Sequence, residues 1–209
     1  MRKVRISIAI IALLLCFSSV HAQFMHGFGV KTGVVLASQD IDNSMGFDTN
    51  AKSRTGFDLG VFAEWFDSPV FSLSTEAHYV QKGMIEEVPR IDEFGFPMSP
   101  SKDDHRIDYL SIPVLAKISV KGKHISPYLV FGPRFDFLLG NKSKTLKILY
   151  DELKNTDEGL TAGVGVETNT VPLRMLLEFR YSPDFSNAYK TDLWKIRNNS
   201  FEILSGLKR

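Results

Sequence analysis

The fold of this chain is decided by the stretch at residues 57–65, which reads FDLGVFAEW. Every second residue from Phe57 to Trp65 is apolar, whereas Asp58 and Glu64 lie at positions between them. Successive side chains of a β-strand point to opposite faces, so a period of two separates an apolar face from a polar one. The stretch therefore predicts a strand that is apolar on one face and charged on the other.

The same alternation of apolar and polar residues recurs along the chain. The connections between these stretches are alternately long and short. Periplasmic turns of a transmembrane β-barrel need only reverse the chain, while its outer loops are free to grow. We therefore predict an all-β fold, an eight-stranded antiparallel up-and-down transmembrane β-barrel. The predicted strands are 28–37, 55–66, 70–82, 105–120, 125–139, 158–168, 171–182 and 199–209. The long connections are 38–54, 83–104, 140–157 and 183–198, and the short ones are 67–69, 121–124 and 169–170.

The first residues have the features of a secretory signal. Basic residues precede an apolar run from Ile6 to Phe17, and Val20 and Ala22 are small residues at the positions that signal peptidase reads. The run is shorter than the roughly 20 residues that a membrane-spanning helix needs. We expect cleavage after Ala22 and export to the outer membrane of a Gram-negative bacterium. The predicted division is a signal peptide, 1–22, and an outer-membrane β-barrel domain, 23–209.

Composition excludes several classes of function. The net charge of +1 argues against a nucleic-acid partner. The only cysteine, Cys16, lies in the predicted signal, so we expect no disulfide or thiolate metal site in the mature protein. No cofactor is predicted. The expected partners are outer-membrane lipid and, through the outer loops, other envelope or secretion proteins.

The polar face of the strands predicts a charged lumen. A lipocalin-like soluble barrel could carry the same alternation with its apolar face inward, but aromatic residues near strand ends and loops long on one rim favour the membrane version. Eight strands leave room only for side chains, so inward charges should pair into a closed network. The predicted network consists of Lys31, Asp58, Glu64, Glu76, His78, Lys117, Arg134, Asp136, Glu167, Arg174, Glu178 and Arg180.

Two prolines fall inside predicted strands and indicate an irregularity in the wall. If the turn at 121–124 is symmetric, Pro113 faces Gly132 and Pro133 faces Ile112. Proline removes a donor from the ladder, so the pair predicts two bulges that bend the sheet. A lateral weak point used in assembly or docking is the alternative.

A catalytic centre is not expected. His78, Glu76 and Ser74 share one strand face and form the single constellation that suits acid–base chemistry. A hydrogen-bonded lumen histidine is the simpler interpretation. We therefore predict that the protein is not an enzyme.

The segment 83–104 is acidic and contains three prolines, and it predicts a solvated, stiffened outer loop. Binding of divalent cations or of a basic partner remains open. Its acidic residues are Glu86, Glu87, Asp92, Glu93, Asp103 and Asp104.

Five segments together resemble the PorT-like outer-membrane barrels of Bacteroidetes. They are YLSIPVLAK at 109–117, PYLVFGP at 127–133, GVGVE at 163–167, LEFRYS at 177–182 and NSFEI at 199–203. The resemblance implies an eight-stranded barrel in the outer membrane and offers no catalytic residues. Its namesake is implicated in type IX protein secretion.

The predicted function is that of a structural or interaction protein of the outer membrane. By resemblance alone, it would be an accessory of protein secretion. A surface anchor or adhesin-type barrel that binds through its loops is an alternative, and a lipid A-modifying enzyme is another.

Overall fold

The computed structural model describes residues 25–42, 51–66, 68, 70–142, 153–185 and 195–209. Its strands are β1 (Met25–Asp42), β2 (Ala51–Trp65), β3 (Phe71–Ile91), β4 (Pro97–Ser119), β5 (Ile125–Lys142), β6 (Thr156–Thr168), β7 (Arg174–Pro183) and β8 (Lys195–Lys208). Each strand pairs with the next in antiparallel fashion, and β1 also pairs with β8, so the sheet closes into a barrel in chain order. The predicted fold class is confirmed. Within the described ranges, no helix has the length and apolar character needed to cross a membrane.

The barrel carries its apolar side chains on the outside. Val61 of β2 is 57% exposed and Leu129 of β5 is 55% exposed, whereas Asp58 of β2 is 1% exposed. A soluble barrel that encloses a greasy ligand would show the reverse arrangement. The apolar face of the strands predicted from the sequence therefore lies against lipid, and the charged face lies in the lumen.

The two ends of the barrel differ. Both described termini and the connections 66–70, 120–124 and 169–173 lie at one end, which is the periplasmic end by the rule that short turns lie there. Residues 43–50, 143–152 and 186–194 of the predicted outer loops lie outside the described residues. The predicted signal peptide also lies outside them, and cleavage after Ala22 stays a prediction that N-terminal sequencing of the exported protein would test.

The prediction of a loop at 83–104 is wrong. β3 continues to Ile91 and β4 begins at Pro97, and the two stay paired as far as Ile91 and Pro97. Only residues 92–96 form the connection. This hairpin extends beyond the lipid-facing part of the wall, where no apolar face is required. It therefore lacks the alternation by which strands are recognised in the sequence.

The predicted partners of the two prolines are wrong by two residues. Pro113 lies opposite Arg134, and Ile112 lies opposite Phe135. The register follows from the pairing of Ser119 with Tyr128, which makes the turn asymmetric about 121–124.

The prolines interrupt the ladder without creating bulges. The pairing of β4 with β5 breaks off between Pro113 and Ala116, opposite Pro133, and resumes in the same register. The pairing of β3 with β4 likewise breaks off between Val114 and Ser111 and resumes unshifted. A missing N–H accounts for such gaps. The bulge in this part of the wall lies instead between Asp108 and Tyr109.

Candidate functional site: the filled lumen and the outer ribbon

Many of the inward side chains belong to four groups along the barrel, and Val35, Ala37 and Val80 form a further small apolar cluster. From the periplasmic end, we name the four groups the periplasmic cluster (Glu64, Lys117, Glu167, Arg174 and Lys208), the apolar layer (Phe62, Leu115, Tyr128, Val130 and Leu176), the central cluster (Lys31, Asp58, Glu76, His78, Glu178 and Arg180) and the outer cluster (Lys82, Arg134, Asp136 and Asp184). All twelve residues of the predicted network point inward. Eleven are buried, and the side chain of Arg174 is 35% exposed.

The central cluster is held by Glu76 and Glu178, which each bind more than one cation. Lys31 Nζ donates to Glu76 Oε1 at 2.8 Å and to Glu178 Oε2 at 3.1 Å. Arg180 Nη2 lies 2.7 Å from Glu76 Oε2, and Arg180 also pairs with Glu178. Because β1, β3 and β7 all contribute, the cluster ties together strands that are not neighbours.

The His78 ring belongs to the central cluster. Its Nδ1 lies 2.5 Å from Asp58 Oδ1 and its Nε2 lies 2.9 Å from Glu76 Oε2. The Ser74 hydroxyl donates to Glu76 at 2.9 Å and makes no hydrogen bond to His78 within the described residues. The arrangement is a bridged ion cluster, in which His78 does not stand as a base next to the serine.

The periplasmic cluster repeats this design around Glu64 and Glu167. Lys117 Nζ lies 2.6 Å from Glu64 and 2.7 Å from Glu167. Lys208 Nζ lies 2.5 Å from Glu64 and 3.2 Å from Glu167. Arg174 Nη1 adds a third cation to Glu167 at 3.0 Å.

The apolar layer separates the central cluster from the periplasmic one. Phe62, Leu115 and Tyr128 are among its members, and each is at most 4% exposed. Lys31 lies over the Phe62 ring at 4.8 Å on one side, and Lys117 lies over the Tyr128 ring at 4.3 Å on the other. Such contacts favour a cation against an aromatic face. The sequence pattern predicts a charged lumen and does not predict an apolar layer across it.

The outer cluster contains two residues that the predicted network omits. Lys82 Nζ donates to Asp136 Oδ2 at 2.6 Å and lies 3.6 Å from Asp184 Oδ1. Arg134 pairs with both carboxylates. Lys82 is the last residue of the predicted third strand, and Asp184 lies two residues past the end of the predicted seventh. Carrying the period of two to the end of the third strand and one step beyond the seventh would have found both.

This filling leaves the lumen charges almost without contact with solvent. Lys31 and Lys117 are each 4% exposed, and Glu178 is 1% exposed. Charges that lined an open aqueous channel would be solvated, whereas these contact one another or aromatic rings. Cations and carboxylates out of water are stable only as such matched sets.

At the other end of the barrel, the hairpin of β3 and β4 extends past its last described pairs with β2 and β5. The last described pair of β2 with β3 joins Ala51 to Glu86, and the last of β4 with β5 joins Arg106 to Lys142. Residues 87–105 lie beyond these pairs, and we name them the outer ribbon. At about 3.4 Å per residue, the part of β3 in the ribbon reaches roughly 17 Å outward.

The tip of the outer ribbon holds exposed aromatic side chains on an ordered turn. Phe94 is 83% exposed and Phe96 is 66% exposed. Asp92 Oδ1 accepts hydrogen bonds from the backbone N–H of Phe94 at 2.9 Å and of Phe96 at 2.8 Å. Gly95 has a φ of 85°, a conformation that favours glycine. The turn therefore fixes the backbone beneath two aromatic residues that point to solvent.

Carboxylates at the base of the outer ribbon bind basic side chains. Glu87 accepts from Lys52 at 2.7 Å, and Asp104 accepts from Arg54 at 2.6 Å. The Lys52 hydrogen bond lowers the pKa of Glu87. Within the described residues, no group of three or more His, Cys, Asp or Glu is arranged to hold a metal ion.

Several solved structures of outer-membrane proteins are similar to this chain. The Ail attachment invasion locus protein of Yersinia pestis is similar, with 14% identity, 88% of this chain and 98% of that chain covered, and a TM-score of 0.42. Neisserial surface protein A has 17% identity, with 87% of this chain and 95% of that chain covered, and a TM-score of 0.47. OprG of Pseudomonas aeruginosa has 13% identity, with 89% of this chain and 97% of that chain covered, and a TM-score of 0.46. Likenesses of this size say nothing about what a barrel binds.

A search of curated proteins finds no match to the chain. A family model described as an outer membrane protein beta-barrel domain matches residues 21–190. With the closed barrel and its apolar outer face, this match locates the protein in the outer membrane. The chain belongs to the family of outer membrane protein beta-barrel domains.

Proposed function

We propose that the protein is a closed outer-membrane barrel that carries the outer ribbon as a binding element for another macromolecule. The observation that carries the proposal is the ribbon tip, where Phe94 and Phe96 are exposed on a turn that Asp92 holds. Large exposed aromatics on an ordered element are typical of recognition surfaces. The rest of the barrel supports the ribbon and keeps it at a fixed height above the membrane.

Other parts of the described surface are less suited to a soluble partner. The wall presents apolar side chains to lipid, and the lumen is filled by ion clusters and the apolar layer. The periplasmic turns are short. A specific interface needs about 800 Å² on each partner, and a ribbon that reaches roughly 17 Å outward from the wall can contribute a large part of this area.

The ribbon also indicates the chemistry of its partner. Its tip is apolar, while Glu93 is exposed next to the tip and the Asp104 side chain is 63% exposed nearer the base. A partner with an apolar pocket flanked by basic groups would match both features. This binding mode corresponds to the adhesin-type alternative of the sequence analysis, with binding assigned to one hairpin, the outer ribbon.

Grafting the ribbon tests the proposal directly. When residues 84–106 are grafted onto another eight-stranded barrel, that barrel should gain the ability to capture the partner from cells. The double variant Phe94→Ser/Phe96→Ser should lose capture while its heat-modifiable migration on gels stays unchanged. Val171→Ser is the matched control, since Val171 is 77% exposed at the periplasmic end. Capture that survives in the double variant would contradict the proposal.

A closed lumen is the second part of the proposal. Purified protein in planar bilayers should show no steady ion conductance, because paired side chains and the apolar layer occupy the lumen. A reproducible channel of porin size would show that water passes between the clusters.

A narrower role in protein secretion is supported by the resemblance to PorT-like barrels alone. No contact among the described residues bears on it. Analysis of secreted cargo after gene deletion would test it. We also propose that the barrel catalyses no reaction, since His78 is bound between Asp58 and Glu76 inside the lumen. A change in lipid A on expression of the protein, detected by mass spectrometry, would contradict this.

A further inference from the structure

The periplasmic mouth of the lumen contains a polar cavity of about 230 Å³. It lies below the apolar layer, and its walls come from the strand ends and from Ser68, Lys121, Gly122 and Asn169 of the short connections. The side chains of the periplasmic cluster form its floor. Pockets for whole small molecules are usually larger, about 300 Å³ or more. The cavity suits a small ion or one functional group of a larger molecule.

The charge of the cavity is positive. Three cations of the periplasmic cluster, Lys117, Lys208 and Arg174, share two carboxylates, Glu64 and Glu167. Arg174 and Lys208 are also direct neighbours across the β7–β8 pair, an arrangement that repels unless an anion lies between. Glu167 already lies between Arg174 and Lys208 and also binds Lys117, while Glu64 binds Lys117 and Lys208, so two carboxylates offset three cations and leave one positive charge in excess.

Lys121 adds a further positive charge at the opening. Its side chain lines the cavity and makes no ion pair within the described part of the chain. Hydroxyl groups of Ser68, Ser72 and Ser119 also line the cavity, as does the Ser126 hydroxyl, which donates to Asn169 Oδ1 at 3.0 Å. Oxyanions are bound in proteins by charged and neutral donors that converge in this way.

We propose that the periplasmic mouth binds an oxyanion group, a phosphate or a carboxylate, with Lys121 and Arg174 as its main cationic contacts. These two are less enclosed than Lys117 and Lys208, which are each at most 4% exposed. In the periplasm such a group is found on a phospholipid headgroup and as free phosphate, and these are the sources that we propose. The outer ribbon at the opposite end plays no part in this site.

Titration of the full barrel in nanodiscs tests the proposal with inorganic phosphate and acetate as probes. Chloride at the same ionic strength is the reference. Saturable binding by calorimetry and chemical-shift changes at the 120–124 and 169–173 turns are expected for at least one probe. Lys121→Gln should weaken the affinity about tenfold, as expected for loss of one charge-assisted contact. Lys123→Gln is the matched control in the same turn and should leave the affinity unchanged.

Arg174→Gln supplies the second variant, and it should weaken binding to a similar degree. If this variant proves less stable, Lys121→Gln still decides the question, because Lys121 is exposed and forms no ion pair with described residues. Absence of saturable binding by either probe overturns the proposal, as does equal affinity of wild type and Lys121→Gln.

Further arms of the experiment distinguish the source of the group. Binding of phosphatidylglycerol in preference to phosphatidylcholine, with weak acetate binding, would indicate a lipid headgroup. Phosphate binding without any lipid preference would indicate the free ion. Binding of a peptide with a free carboxyl terminus, and not of its amidated form, would indicate a polypeptide end and would overturn the proposed sources.

Discussion

Strand β3 carries two glutamates that pair with lysine, one in the lumen and one at the base of the outer ribbon. Glu76 is 3% exposed and is bound by Lys31, Arg180 and His78. Glu87, whose side chain is 20% exposed, pairs with Lys52, whose side chain is 59% exposed. The same strand thus contains a buried carboxylate shared by several cations and a partly exposed carboxylate with one ion-pair partner.

The difference shows that burial, more than the presence of an ion pair, decides what a charge does in this protein. An exposed pair gains little, because water and salt solvate its partners when they separate. A buried carboxylate that serves several cations cannot be removed without leaving those cations uncompensated. We therefore expect the lumen to hold the barrel together and the ribbon to be free for binding.

Replacing Glu76 should have the largest effect. Glu76→Ala leaves Lys31 and Arg180 with less compensation in a buried setting, and we expect a loss of about 4 kcal/mol in the free energy of unfolding. Denaturant unfolding of the barrel in lipid would measure it. Glu87→Ala on the same strand is the control. Equal stability of the two variants would show that water solvates the lumen charges.

Removing the Phe62 ring should have the next largest effect. Phe62→Ala opens a cavity in the apolar layer and removes the contact with Lys31, so we expect a loss of about 3 kcal/mol. The same unfolding assay applies. Phe94→Ala is the matched control, since the exposed ring at the ribbon tip should not affect barrel stability. A similar loss in both variants would contradict the distinction between lumen and ribbon.

Breaking the pair at the ribbon base should leave barrel stability unchanged within error. Glu87→Ala and Lys52→Ala remove one exposed contact each, and either residue remains solvated when its partner is lost. Unfolding midpoints measured at low salt and at high salt should agree between these variants and wild type. A clear loss of barrel stability would show that the ribbon takes part in folding of the wall.

The smallest expected effect is a local dependence on pH. The Lys52 hydrogen bond lowers the pKa of Glu87 below its ordinary value near 4.5, so the pair stabilises the ribbon base above that value. The stabilisation should disappear as the pH falls through the lowered pKa. Hydrogen exchange, corrected for intrinsic rates, should report faster opening near Ile85 in acid. Glu87→Gln should lack this dependence, and its persistence there would assign it to another group.

The sequence was sufficient to predict all eight strands and the direction of the predicted lumen residues, because strand alternation is a local property. The sequence-based prediction of strands failed for the part of β3 and β4 that extends beyond the membrane. Pro89 and Pro97 and the surrounding charges resemble a loop in sequence, yet the hairpin is held by pairing between β3 and β4. It also failed on the register at Pro113, because an asymmetric turn shifts every pair that follows it.

The sequence by itself determined an outer-membrane barrel with an apolar outer face and a charged lumen, since a period of two assigns each side chain to a face before any strands pair. Only the tertiary structure decided which charges meet. Lys31 and Glu178 are 147 residues apart in sequence, and closure of the barrel brings them to 3.1 Å. The apolar layer, the ribbon and the periplasmic cavity depend likewise on strand stagger around the closed sheet. Stagger is a property of the whole ring of pairings, and no single segment encodes it.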